Sequence, residues 1–174
     1  MAIHFDEKNQ ILTLHTKRTT YQMKIDAYGM LLHLYYGPRC EGTMDYLLTY
    51  YDRGGFSGNI YDAGNNRGYS MDSLPQESPS CGSGDFRSAA VIIKTLDGFF
   101  NCDLRYSEHK IYKGKYGLTG LPAVYADSRE ADTLEIVLKD EVMKVKAVLY
   151  YGVIEEKDII TRSVKLINEG GQKI

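Results

Sequence analysis

Between Tyr69 and Arg87 the run YSMDSLPQESPSCGSGDFR sets three carboxylates (Asp72, Glu77, Asp85), one thiol (Cys81) and one guanidinium (Arg87) in a segment with no core-forming period. Two carboxyl groups held at a fixed separation can divide general acid and general base work between them. Spacing along an irregular segment cannot set such a separation, and a carboxylate beside an arginine more often forms a structural ion pair. Asp85 and Arg87, two apart around Phe86, fit that second chemistry, a charge-assisted lock on the loop. Elsewhere the reactive residue types lack a working pattern. Ser107, Glu108 and His109 are adjacent, but such a set is defined by geometry and neighbours on a strand point to opposite faces. His4, His15 and His33 have no metal-ligand spacing. Cys40, Cys81 and Cys102 are odd in number and far apart, which argues for free thiols and against a disulfide framework or a paired zinc site. No catalytic residue, metal ligand or cofactor is assigned.

The elements that must carry this loop are strands. Apolar residues recur with period two: Tyr21, Met23 and Ile25; Leu134, Ile136 and Leu138; Met143, Val145, Ala147 and Leu149, as in half-buried strands. Turn formers separate Ile3–Phe5 from Ile11–His15, precede Leu31–Tyr36 at Asp26–Gly29, and join two strands as a hairpin at Lys139-Asp140-Glu141. One helical turn is expected at Met44, Leu47, Leu48 and Tyr51, spaced three and four apart. The sum is an all-β chain, an antiparallel β-sandwich. The irregular region begins near Arg53 and holds seven of the 17 glycines through Arg87. Loops longer than about 12 to 15 residues without regular structure are commonly functional.

Composition narrows the partners. With 174 residues, 43% hydrophobic and a net charge of −2, the chain reads as one globular domain with no basic field for nucleic acid. No run approaches the roughly 18 to 20 apolar residues of a membrane span. The start MAIHFDEKNQ lacks the charged and apolar regions of a signal peptide, so a cytoplasmic location is expected. The 15 tyrosines suit half-exposed sheet faces and are read as structural.

The run from Tyr69 to Arg87 resembles a signature of the N-terminal domain of microbial α-galactosidases of glycoside hydrolase family 36. Two further blocks follow in the family's order: Tyr106 to Ile111 with Gly114-Lys115 and Leu118 to Ala123, then Ile159 to Ser163 with Ile167-Asn168. Ser78 and Ser88 depart from the residues more often seen there. The resemblance implies part of a β-supersandwich preceding a catalytic (β/α)8 barrel that is absent from this chain. It implies an enzyme that hydrolyses terminal α-linked galactose, of the melibiose or raffinose type, with retention and without a cofactor. The two catalytic aspartates of such enzymes lie on the barrel, and no matching motif occurs here. It further implies a homotetramer whose N-terminal domain reaches over a neighbour's active site. Asp52, Phe56, Arg67 and Asp72 are the candidate substrate-binding residues of that arm, since they offer hydroxyl-binding groups and one aromatic ring. Residues 1–174 are expected to be an incomplete sandwich, because the strand at Asp158 to Ile167 runs into Asn168-Glu169-Gly170-Gly171, a turn that would feed a further partner strand. Two other readings stand beside this one: a stand-alone carbohydrate-binding module, and a sandwich scaffold whose loop binds protein.

Overall fold

The structure, a computed structural model, describes residues 1–50, 59–71, 73–82, 84–171 and 173–174. Eight strands form two four-stranded antiparallel meanders. The first holds β1 (Ile3–Asp6), β2 (Ile11–His15), β3 (Thr19–Ile25) and β4 (Leu31–Pro38). The second holds β5 (Arg105–Lys113), β6 (Asp132–Asp140), β7 (Val145–Ile154) and β8 (Ile159–Asn168). No described element is an α-helix, as the period-two pattern requires. Where a helical turn is expected at Met44, Leu47, Leu48 and Tyr51, the structure has a 3₁₀ turn at Asp45–Leu47 with no buried residue; Leu47 stays about half exposed while Leu48 packs against an apolar cluster, and Tyr51 lies outside the described residues.

The sheets face each other across one core. Leu12, Leu14, Tyr21 and Met23 from the first sheet meet Leu134, Ile136, Ala147, Leu149 and Tyr151 from the second. Hairpin chemistry sets the registers. In the turn after β6, Asp140 Oδ1 accepts the backbone N–H groups of Val142 and Met143 at 2.9 and 2.8 Å, an Asx-type closure that lets Asp140 pair with Val145. A second apolar cluster of Met30, Leu32, Ile60, Ala63, Tyr69, Met71 and Leu74 lies beneath the long loop. That loop therefore has a small core of its own.

The run Val145–Ile154, apolar enough to threaten self-pairing, is β7 and lies between β6 and β8. β8 pairs with it over its whole length, from Ile159↔Ile154 to Asn168↔Val145. Its other edge has no strand among the described residues. On the core-facing side of β8, Val164 and Leu166 sit opposite Leu149 and Ala147. They remain 53% and 50% exposed while their partners are buried, so the inner face is uncovered along this edge. The charged residues Arg162 and Lys165 on the same strand discourage edge-to-edge pairing.

Hydrogen exchange should show this asymmetry. Amides of β6 and β7 are expected to be protected throughout, while β8 should show alternating fast and slow amides as one side of its backbone faces water. Uniform protection along β8 in a monomer would contradict a free edge.

Candidate functional site

The loop is stitched to the edge of β4. His33 N–H donates to Pro75 O at 2.7 Å and Glu77 N–H to Leu31 O at 2.9 Å, so Gln76 forms a bridge with Leu32. This short antiparallel pairing sets Glu77 at the seam between the two sheets. Its side chain is 2% exposed. Tyr21 of β3 donates its hydroxyl to both carboxylate oxygens at 2.7 Å. Tyr151 of β7 donates to Oε1 at 2.7 Å, and the Arg162 guanidinium of β8 reaches the same oxygen at 2.5 Å. His33 Nδ1 lies 3.1 Å from Oε2. The guanidinium also lies over the Tyr21 and Tyr151 rings, 5.8 and 5.4 Å from their centroids, in cation–π range.

Electrostatics follow from this shell. Burial pushes the Glu77 carboxyl up, but the His33 hydrogen bond, the Arg162 charge and the two tyrosine hydroxyls together hold it below its ordinary value of 4.5. The Tyr21 and Tyr151 hydroxyls move the other way. Burial, and then the adjacent carboxylate, raise both far above the usual phenol range. All three groups thus keep one protonation state across neutral pH.

A few residues on, Arg87 closes the loop. Its Nε and Nη2 grip the Asp85 carboxylate at 2.8 and 2.7 Å, and Nη2 lies 2.9 Å from Met71 O and 2.6 Å from Leu74 O. Gln76 Nε2 donates to Asp85 at 3.0 Å. Burial raises the Asp85 carboxyl, yet these donors outweigh it and the net shift is downward. Gly82, at φ +100°, lets the chain pass Asn101, whose Cα would lie 2.9 Å from any Cβ there. The expected lock between Asp85 and Arg87 is therefore real, and its reach includes two carbonyls of the loop.

A carboxylate pair for acid/base work needs one member protonated. Both Glu77 and Asp85 are shifted downward, and each is engaged by several donors that tie the loop to the sheets. Of the expected substrate-binding residues, Asp52, Phe56 and Asp72 lie outside the described residues. Arg67 is exposed, on the turn between the 3₁₀ segment Tyr61–Ala63 and buried Tyr69. Of the four, only Arg67 therefore has a described position. Among the described residues no group of three or more His, Cys, Asp or Glu side chains could hold a metal ion. Cys102 is buried, with its thiol pushed up to about 12 by burial and by Asp140 and Asp103, which makes it a poor nucleophile.

Comparison with known proteins gives consistent matches. A model of the glycosyl hydrolase family 36 N-terminal domain matches residues 29–174. The bifunctional alpha-galactosidase/sucrose kinase AgaSK of Mediterraneibacter gnavus is 55% identical over 174 residues, covering 100% of this chain and 18% of that protein. Alpha-galactosidase Mel36A of Lactobacillus acidophilus is 37% identical over 99% of this chain and 24% of its own length. Among solved structures, the galactosidase domain of AgaSK superposes with a TM-score of 0.95 over 98% of this chain and 24% of that one. AgaB from Geobacillus stearothermophilus, 38% identical, gives 0.90 over 99% and 23%. The chain spans about a quarter or less of the length of these relatives.

Replacing Glu77 by Gln should destabilise the domain by about 3 kcal/mol, at the low end for a broken buried pair because Arg162 is half exposed. The pH dependence has a defined sign. A carboxyl whose folded value is depressed contributes fully above its unfolded value, and loses that contribution as pH falls through the folded one. The gap in thermal midpoint between wild type and Glu77→Gln should therefore be widest above about pH 4.5 and shrink below it. A gap that stays constant down to strongly acidic pH would overturn the assignment of an ionised, stabilising Glu77.

Proposed function

The chain belongs to glycosyl hydrolase family 36, as its N-terminal domain, and from that premise we propose that it serves an α-galactosidase as a non-catalytic domain. The observation that carries this reading is 55% identity across all 174 residues to a protein named as an α-galactosidase. The parent enzyme would cleave terminal α-linked galactose, as in melibiose or raffinose-type sugars, on a catalytic barrel outside this chain. The ionised state of both Glu77 and Asp85 supports placing the chemistry elsewhere. The uncovered inner face at Val164 and Leu166 supports a sandwich that continues with further strands. A membrane-independent, cytoplasmic setting with no cofactor and no nucleic-acid partner completes the proposal.

We further propose that the domain makes contacts in a homotetramer and that the segment from Asp52 to Asp72 extends toward the active site of a neighbouring subunit. Arg67, exposed on its turn, is the describable member of that set, with Asp52, Phe56 and Asp72 assigned from the sequence. The apolar cluster under the loop gives such an arm a rigid root, because Tyr69 and Met71 are 3% and 0% exposed. Tyr69 also donates its hydroxyl to Asp26 Oδ2 at 2.5 Å. A stand-alone carbohydrate-binding module is the second reading, favoured by the exposed rings of Tyr36 and Tyr125.

Two assays check the proposal. The purified 174-residue chain should release no nitrophenol from p-nitrophenyl α-galactoside, and release that falls on Glu77→Gln would refute a non-catalytic role. In the parent enzyme Arg67→Ala should lower kcat/KM by roughly 5- to 150-fold, the worth of about 1 to 3 kcal/mol for a lost desolvated hydrogen bond. Unchanged kinetics, with the tetramer intact by light scattering, would remove the arm.

A further inference from the structure

We propose that Cys81 and Cys102 are a redox-sensitive pair, which a small disulfide such as oxidised glutathione joins into a reversible cross-link between the loop and the segment leading into β5. This goes beyond the reading above, which assigns no chemistry to the thiols of this domain. Both cysteines are free in the structure. Cys102 is 1% exposed and belongs to the main core, whereas Cys81 is only part-buried.

Backbone geometry sets the two side chains opposite each other. Cys102 N–H donates to Cys81 O at 2.7 Å. One residue on, a Cβ at Gly82 would lie 2.9 Å from Asn101 Cα and 3.2 Å from Cys102 N. The two segments therefore run antiparallel, with Gly82 facing Asn101 and Cys81 facing Cys102. Residues opposed in this way direct their side chains to one face. A hydrogen-bonded antiparallel pair holds its Cα atoms about 5.5 Å apart, and disulfides most often span about 5.5 to 6 Å between Cα atoms. Ser80 fixes the register, because its hydroxyl donates to Cys102 O at 2.6 Å. Cys40 lies elsewhere, beyond the end of β4, where its N–H donates to Thr20 Oγ1 at 3.0 Å.

The difference in burial orders the steps. The thiolate of accessible Cys81 attacks one sulfur of the disulfide RSSR, forming a Cys81–S–SR bond and releasing RS⁻. Cys102 is the resolving thiol. Burial, with Asp140 and Asp103 nearby, makes it slow toward outside reagents, but its attack on Cys81 is intramolecular, which offsets a low nucleophilicity. As the Cys102 proton leaves to RS⁻, its sulfur bonds to the Cys81 sulfur, the S–SR bond breaks and a second RSH is released. Two thiols are thus oxidised by two electrons, and one RSSR is reduced to two RSH. The cross-link closes the connection through residues 82–101 and ties the loop, beside its Asp85–Arg87 lock, to the sheet. In a reducing compartment the thiol form is the resting state.

The test is to incubate the folded chain with oxidised glutathione, block the remaining thiols with N-ethylmaleimide and map the bonds by mass spectrometry of a non-reducing digest. A cross-linked pair of peptides carrying Cys81 and Cys102 is expected, with Cys40 outside it. The thermal midpoint should rise by about 5 °C or more on cross-linking and return with dithiothreitol. Cys102→Ser should stop the reaction at a glutathione adduct on Cys81. Cys81→Ser, the milder change because the position is part-buried, should leave Cys102 as a thiol, and Cys40→Ser should leave the cross-link intact. A wild-type chain that keeps the adduct on Cys81 with Cys102 reduced, a bond that includes Cys40, or a midpoint that falls on cross-linking would each overturn the proposal. So would a folded chain that stays reduced under conditions in which the unfolded chain is oxidised.

Discussion

An ionised carboxylate withdrawn from water must find its hydrogen bonds within the protein or become protonated, and at Glu77 the fold supplies them from both sheets. Tyr21 comes from one sheet, Tyr151 and Arg162 from the other, and the carboxylate itself from the loop. Each oxygen accepts from at least two donors. Removing any one donor leaves a charge in a site that is 2% exposed, where unsatisfied polar groups are costly. The relative position of the sheets and the course of the loop are thus coupled through a single side chain. Hydrophobic contact between the sheets is larger in area but has no comparable directionality.

This arrangement also accounts for how a segment so rich in turn formers is tied to the sheets. The loop gains little from regular secondary structure, so its order rests on few strong bonds: the bridge of Gln76 to Leu32, the Glu77 shell, and the Arg87 grip on Asp85, Met71 O and Leu74 O. Beneath them Met71 and Leu74 are fully buried. Polar locks above and a small apolar cluster below anchor the described part of this connection. Such anchoring suits the proposed arm, since ordering a loop at the moment of binding costs affinity.

Much of the fold was legible because period-two patterning survives translation into structure. Ile11–His15, Leu134–Leu138 and Val145–Leu149 all lie on the strands their alternation implies, and a hairpin turn joins β6 to β7 as expected, though at residues 141–144, with Lys139 and Asp140 still in β6. The lock between Asp85 and Arg87 was also visible, since partners two residues apart need no long-range information. The role of Glu77 was not. Its partners lie 44 to 85 positions away along the chain, and nothing in the types Tyr, Tyr, His and Arg at those distances marks a common site. Arg162 stood in a motif block, but its target could be known only once β8 was laid beside β7. Near Met44 the local spacing suggested a full helical turn, but only a 3₁₀ turn forms at Asp45–Leu47, with Leu48 packed inward and Leu47 about half exposed. The arm residues Asp52, Phe56 and Asp72 rest on resemblance, and only Arg67 has a described place.

The claim that one buried carboxylate couples the two sheets is tested most directly by a double-mutant cycle on Tyr21→Phe and Tyr151→Phe, read by equilibrium unfolding. Each variant deletes a single hydroxyl and keeps the ring. If both hydroxyls serve the same charge, their effects should be non-additive, with an interaction energy of about 0.5 kcal/mol or more. The sign should be such that the second loss costs more than the first, because Glu77 is then left with only Arg162 and His33. Strict additivity, with each change costing no more than an isolated surface hydroxyl, would show that the sheets are held together by apolar packing alone and that Glu77 does not join them.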